Sequence, residues 1–192
     1  MSGSVLSKLT GKLLRSGRAG EYSALGEVGQ PVFRVAGQLR EALRRKLGVI
    51  DEKTGLTYAD HFAVPKTDQM GDVIDWYSNC PGDVVPWSSA TENERESARR
   101  QLRTLEQKIS EYCDDFNAQR LERNQSGKSV SGAVDPQVFT QLLSKVLHTP
   151  DAHHVYLVNG FAVLTFWGFV YPKTNVPNDP LLHLFDAPQI NP

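Results

Sequence analysis

HHVYLVNGFAVLTFWGFV, residues His153–Val170, is the most apolar run in the chain, and Asn159-Gly160 divides it into two strand-like halves. An Asn-Gly pair accepts positive φ at both central positions of a type I′ turn, so the run predicts a tight β-hairpin. A two-residue turn sets Val158 opposite Phe161, Leu157 opposite Ala162, Tyr156 opposite Val163 and Val155 opposite Leu164. Alternation then puts Val155, Leu157, Ala162, Leu164, Phe166 and Val170 on one face. Tyr156, Val158, Phe161, Val163, Trp167 and Phe169 take the other. Both faces are apolar, unlike an antiparallel sheet with one wet side. Each therefore needs a cover, supplied by this chain or by a partner.

The chain has 192 residues, enough for one domain with a real core plus tails. Mean hydropathy is −0.38, lowered by a heavily charged centre. The net charge of −1 gives no global argument for nucleic acid, but it is unevenly spread. Residues 1–50 carry nine Lys and Arg against three Glu, a balance of +6, which leaves −7 for the remainder. That front end is either a solvated basic face or a contact for an acidic partner or anionic membrane. The two cysteines, Cys80 and Cys113, match no metal or redox spacing and suit a reduced compartment. No apolar run approaches the roughly 20 residues of a membrane span, and the N-terminus lacks the apolar core of a secretory signal.

Outward from the hairpin, the pattern is helical on its N-terminal side. Asp135-Pro136 supplies an N-cap and a first-turn proline, followed by a stripe of Phe139, Leu142, Leu143, Val146 and Leu147. Residues 122–134 read as a polar loop. Before them Ala98, Leu102, Leu105, Ile109, Tyr112 and Phe116 form a seam spaced four and three, with a capping box at Thr91/Glu94 or Ser89/Glu92. Another stripe, Val35, Leu39, Ala42, Leu43 and Leu47, stops at Gly48. Between these helices, Val73–Ser78 and Asp83–Ser88 read as the arms of a second hairpin about Cys80-Pro81-Gly82-Asp83, with Trp76 opposite Trp87. Phe62-Ala63-Val64 reads as a short edge strand ended by Pro65. Val5, Leu6, Leu9, Leu13 and Leu14 have roughly helical spacing, giving a short basic amphipathic helix or a frayed tail. Five prolines follow Tyr171 and predict an extended tail, with Leu181, Leu182, Leu184 and Phe185 available to dock back.

Reactive constellations are scarce. Gly127-Lys128-Ser129 resembles the end of a phosphate loop, but Glu122 stands where the first glycine belongs and helix precedes it. His148, Asp151, His153 and His154 cluster before the first hairpin strand, which raises a metal site or a hydrolase. Adjacent histidines on a strand point oppositely, so only one of His153 and His154 can join His148, and turn histidines are the simpler reading. Asp72, Asp75 and Asp83 are candidate paired carboxylates, or plain edge and turn residues. Trp76, Tyr77, Trp87, Tyr156 and Trp167 lack the interleaved basic residues of a nucleic-acid platform. No catalytic, cofactor-binding or metal residues are assigned.

Several blocks occur in a telling order. They are Leu25-Gly26-Glu27 with Gly29-Gln30-Pro31-Val32, then Ile74-Asp75-Trp76-Tyr77 with Val84-Val85-Pro86-Trp87-Ser88, then His154–Gly160 running on through Thr165–Val170. Over residues 22–172 the chain resembles the N-terminal region of the SrfA family of bacterial putative virulence factors, whose gene lies beside those for SrfB and SrfC. The resemblance implies a cytoplasmic domain of a parent protein that continues through a proline-rich stretch into a membrane segment, here absent. It implies SrfB-like and SrfC-like protein partners, and it transfers no catalytic residue.

The expected fold is thus α+β: an antiparallel sheet from two β-hairpins, covered on one side by about three helices. Residues 1–31 form a basic Gly/Ser-rich segment, 32–172 the interaction domain and 173–192 a Pro-rich tail or linker. The expected function is non-enzymatic protein binding, through the hairpin face of Tyr156, Val158, Phe161, Val163, Trp167 and Phe169, with self-association open to the same face. Cofactors and nucleic acid are not expected, and membrane contact would come only through segments outside this chain. The alternatives are a hydrolase or metal-dependent enzyme using His148, His153 or His154, and a secreted effector acting as an adaptor in a host cell.

Overall fold

The computed structural model describes residues 11–125 and 136–185. The architecture is α+β with antiparallel sheets, as the sequence predicts. The strands are β1 (Leu13–Arg18), β2 (Ser23–Ala24), β3 (Gly26–Glu27), β4 (Gln30–Pro31), β5 (Val49–Asp51), β6 (Leu56–Thr57), β7 (Val64–Thr67), β8 (Val73–Tyr77), β9 (Val84–Pro86), β10 (Val155–Val158), β11 (Phe161–Leu164) and β12 (Phe169–Val170). The helices are α1 (Ala36–Leu47), α2 (Glu92–Gln125) and α3 (Pro136–Leu143).

β10 and β11 form the hairpin in the expected register, Val155 to Leu164 through Val158 to Phe161. Asn159 and Gly160 have φ of 51° and 79°, the signature of the I′ turn. Gly160 has open space about its missing side chain, so only the backbone resists substitution there. Gly160→Val is expected to cost about 1–3 kcal/mol, because a β-branched residue disfavours positive φ. An unchanged melting temperature would refute the turn.

The second predicted hairpin does not exist. β8 lies between β1 and β7, while β9 pairs with β10. Ser78 turns the chain locally, its hydroxyl accepting from Cys80 N–H at 2.9 Å and donating to the Cys80 carbonyl at 3.0 Å. Gly82 then passes so close to the hairpin turn that a Cβ would sit 2.6 Å from the Asn159 Cβ. The Asn159 N–H donates to the Asp83 carbonyl at 2.8 Å, which fastens β9 to the hairpin instead of to β8. Pro86, with no N–H, ends this strand at the sheet edge. Trp76 and Trp87 therefore belong to different surroundings.

The expected single sheet is instead two three-stranded sheets, β1-β8-β7 and β11-β10-β9, with three two-stranded ribbons. β1 also corrects the helical reading of Leu13 and Leu14, since β8 offers a long-range partner that local spacing does not reveal. Residues 1–10 lie outside the described part. Pro65 does not end the edge strand: β7 runs through it, and an edge position tolerates its missing donor.

The helices follow the predicted stripes. Gly48, at φ 74°, ends α1 with its N–H bonded to the Arg44 carbonyl. Thr91 and Glu94 form the capping box of α2, with bonds of 2.7 and 3.3 Å. Ala98, Leu102, Leu105 and Ile109 are buried along the seam, and Tyr112 and Phe116 half-buried. All but Phe116 join one core with Leu39, Leu43, Leu142, Leu143 and the hairpin, and Phe116 packs on Phe139. The predicted cap Asp135 and the Gly127-Lys128-Ser129 motif lie outside the described residues.

The hairpin's second face is covered by its own chain. Beyond Leu164 the arm breaks: Phe166 has φ 47° and Gly168 φ 79°, and Gly168 packs so tightly that a Cβ would lie 2.6 Å from Val32. This kink turns Trp167 inward, where it is fully buried between Phe62 (ring centroids 5.2 Å) and Trp76 (5.9 Å). Its indole N–H donates to the Ala63 carbonyl at 2.9 Å. Phe169 packs against Phe33, and Phe161, half-buried, stacks on His61 at 4.0 Å. Tyr156, Val158 and Val163 are buried too. Five of the six residues expected to meet a partner are thus buried and Phe161 is half-buried against His61, and the covering rings of Phe33, Phe62 and Trp76 were missed because they lie far away in sequence.

The free edge of β11 is also closed. Gln101 on α2 donates to the Gly160 carbonyl at 2.9 Å and accepts from Ala162 N–H at 3.0 Å, while His61 Nδ1 donates to the Ala162 carbonyl at 2.7 Å. An amide side chain thereby stands in for a neighbouring strand.

Candidate functional site

A groove of about 1110 Å³ runs along the first half of α2. α2 presents two rows to it, each repeating every fourth residue: Arg95, Arg99 and Arg103, beside Glu92, Glu96 and Arg100. Such i, i+4 residues stand one above another on a helix. Trp87 closes one end, and Leu184 and Phe185 close the side, with His153 and His183 at the wall.

The inner arginines are aimed by backbone carbonyls and carboxylates together. Arg95 donates from Nε to the Trp87 carbonyl at 3.0 Å and from Nη2 to the Ser88 carbonyl at 3.1 Å. Its nearest carboxylate, on Glu92, is 3.9 Å away. Arg99 donates to the Leu184 carbonyl at 2.7 Å and to Glu92 at 2.6 Å. The bond from Arg99 holds the Glu92 carboxyl below its ordinary pKa. Arg103 grips Asp179 with two bonds of 2.8 and 2.7 Å and also reaches Glu106, and the Asp179 contact raises its already high pKa. Arg100, with its side chain 67% exposed, pairs with Glu96 at 3.2 Å.

The proline-rich tail makes the second wall. Leu181 and Leu184 are buried in the core, as the docking expectation for these residues anticipated. Phe185 lies under the Arg103 guanidinium at 4.4 Å and near that of Arg99 at 5.8 Å. The stretch from Asp179 to Phe185 therefore packs against α2 and the core, and residues 186–192 lie outside the description.

The predicted histidines go three separate ways. His148 is buried after α3, His153 is exposed on the groove wall, and His154 is wholly buried on the opposite side of the chain. Among the described residues no group of three His, Cys, Asp or Glu is placed to hold a metal ion. Asp83 is fully exposed near Lys12, and its strand lies in a different sheet from Asp75, so the aspartates do not form a pair.

His154 does complete an arrangement. Its Nδ1 lies 2.8 Å from Asp151 and its Nε2 3.1 Å from the Tyr22 hydroxyl. Asp151 also accepts from the His153 N–H at 2.9 Å and from the Tyr171 hydroxyl. Burial alone would raise the Asp151 pKa, but the bonds from His154 and Tyr171 outweigh it and hold the group ionised. Nδ1 therefore carries the proton and Nε2 accepts from Tyr22. Burial lowers the His154 pKa and keeps the ring neutral. Arg15 approaches from β1, donating to the His153 carbonyl at 3.3 Å. The spacing Asp151-x-x-His154 was visible in sequence, whereas Tyr22 and Tyr171 come from distant segments.

Burial disfavours the thiolate form of both cysteines. Burial pushes the Cys80 thiol up to about 12 and Cys113 up to about 11. Among the described residues no helix is long and apolar enough to cross a membrane. No family model matches the chain, and neither a curated protein nor a solved structure matches it.

Proposed function

We propose that this chain is a non-enzymatic, cytoplasmic interaction domain that binds partner proteins through the α2 groove, as the N-terminal part of an SrfA-type protein. The observation that carries the reading is the groove along α2, whose inner arginines are held in direction by backbone carbonyls and carboxylates together. Preorganised cations of this kind lose little side-chain freedom on binding, which favours recognition. The order of the Leu25–Val32, Ile74–Ser88 and His154–Val170 blocks supports the SrfA-type assignment and makes SrfB-like and SrfC-like proteins the partners to try.

The test is coelution of the domain with each product of the neighbouring genes in size-exclusion chromatography. A complex is expected with at least one, and Arg100→Glu should weaken it about tenfold, as for loss of one charge contact at an interface. Failure of both proteins to coelute would overturn the reading.

A second reading, an acyl-transferring hydrolase, is favoured by the Tyr22–His154–Asp151 chain, which has the connectivity of a hydroxyl activated through an imidazole by a carboxylate. Stoichiometric acylation of Tyr22 by an activated ester, lost in His154→Gln, would favour it over the binding reading. The simpler role of this cluster is to fasten β1 and β2 to the core.

A further inference from the structure

We propose that residues 179–185 form a strap that acid releases from the α2 groove, with His183 as the residue that senses the proton. The proposal goes beyond the docking reading and does not depend on it, because the opening can be followed with no partner present.

The strap is fastened at few points. Residues 171–176 are all exposed, so a length of solvated chain separates β12 from the docked turn. Among the described residues the strap pairs with no strand. It is held by Asp179 on Arg103, by the Leu184 carbonyl on Arg99, by His183 against Thr149, and by the buried side chains of Leu181 and Leu184. A segment with so few anchors, at the end of an exposed linker, opens locally at less cost than global unfolding.

His183 is the anchor whose charge changes with pH. Its Nε2 lies 3.1 Å from the hydroxyl of buried Thr149, so the ring points into the body of the domain. A hydroxyl both donates and accepts, and Thr149 therefore meets either protonation state of that nitrogen. What the site does not supply is a free counterion. The carboxylates that act on the ring are Asp179 from its own segment and Asp151 from the turn before β10. Asp179 is committed to Arg103, and Asp151 to His154 and Tyr171. Against them stand His148, which has Lys145 beside it, and His154. α2 adds Arg99, Arg100 and Arg103, which line the groove with His153 and His183, while Glu92 and Glu96 are bonded to Arg99 and Arg100.

The sign follows from this setting. Burial, the largest influence, lowers the His183 pKa; Asp151 and Asp179 oppose the shift, and His148 and His154 add to it. The docked ring is neutral, whereas a released ring returns to an ordinary pKa of about 6.5. Release therefore takes up a proton and is favoured as pH falls through that value. One histidine supplies up to about tenfold between pH 7.5 and 5.5. Opening removes the wall made by Leu184 and Phe185, and it leaves Arg99 and Arg103 with only their α2 carboxylates, chiefly Glu92 and Glu106. In acid the groove is thus wider and more cationic than at neutral pH.

The test is hydrogen–deuterium exchange of the whole chain at pH 7.5 and 5.5, with each rate divided by the chemical rate at that pH. The Leu184 and Phe185 amides bond within the strap, to the Leu181 and Leu182 carbonyls, and a lone turn does not survive release. The β10–β11 amides report global unfolding. Strap protection is expected to lie below that of the hairpin at both pH values and to fall by up to about tenfold in acid. His183→Gln, which keeps a partner for Thr149 but does not titrate, should remove most of that fall. Asp179→Asn, which weakens the Arg103 anchor and keeps the imidazole, should lower strap protection at both pH values and leave the fall in place. Equal strap protection at the two pH values, a strap that exchanges only together with the hairpin, or an undiminished fall in His183→Gln would each overturn the proposal.

Discussion

Trp167→Ser is expected to unfold the domain rather than to disable a surface. The indole is fully buried, edge-on to Phe62 and Trp76, and its N–H satisfies the Ala63 carbonyl. Removing so large a buried side chain costs about 3–5 kcal/mol through lost transfer energy and the cavity left behind. The orphaned carbonyl and the buried serine hydroxyl add about 1–3 kcal/mol. Together these approach the whole stability of an ordinary domain, about 5–15 kcal/mol. Circular dichroism should show loss of the cooperative melt, or a melting point lowered by tens of degrees. Phe161→Ser, at a half-buried site, should cost clearly less. A Trp167→Ser protein that melts like the parent but no longer binds its partner would restore the hairpin face as the docking surface.

That contrast shows where the sequence was legible. The β10–β11 register could be read because its determinants are adjacent: Asn159-Gly160 tolerates the turn and alternation does the rest. α1 and α2 were readable for a similar reason, since Gly48 and the Thr91/Glu94 box act within one turn of the helix. The failures are all long-range. Val73–Tyr77 and Val84–Pro86 have the local character of hairpin arms, and only their pairing with Leu13–Arg18 and Val155–Val158 separates them. Strand propensity reports fit to a surface and leaves the choice of neighbour open. Leu13 and Leu14 suffered the same ambiguity, because a short apolar spacing suits helix or strand.

The candidate site was half legible. Arg95, Arg99 and Arg103 stood in the sequence at four-residue spacing but looked like the solvated flank of a seam. What turns them into a groove wall is the tail, which brings Asp179, the Leu184 carbonyl and Phe185 against α2 from about eighty residues away. Nothing in residues 92–104 announces that. Likewise, Asp151-x-x-His154 was visible, but Tyr22 and Arg15 reach it only because β1 and β2 fold across the hairpin end.

Acid should destabilise this domain well before its carboxylates begin to titrate, and His61 gives the effect a measurable core. It is buried, stacked on Phe161, and its Nδ1–H is committed to the Ala162 carbonyl. Burial pushes its pKa down to about 4, although the Ala162 bond and the nearby Asp60 charge oppose the shift. In the unfolded chain the imidazole returns to about 6.5. Between those values the unfolded state binds a proton that the native state refuses, so stability falls as pH falls. The slope is about 1.4 kcal/mol per pH unit for each such histidine, which gives about 3 kcal/mol for His61 by pH 4. Burial lowers His148, His154 and His183 in the same direction and steepens the loss. Asp151 acts in the same direction at lower pH: its depressed carboxyl contributes stability that is fully present above the ordinary aspartate range and is lost as pH falls below it. Urea unfolding at pH 7, 6, 5 and 4 should therefore show a declining free energy. His61→Gln, which keeps a donor for the Ala162 carbonyl but cannot titrate, should be less stable than the parent at pH 7 yet lose less between pH 6.5 and 4. An identical slope in parent and variant would mean that His61 is not the neutral, buried group that closes the edge of β11.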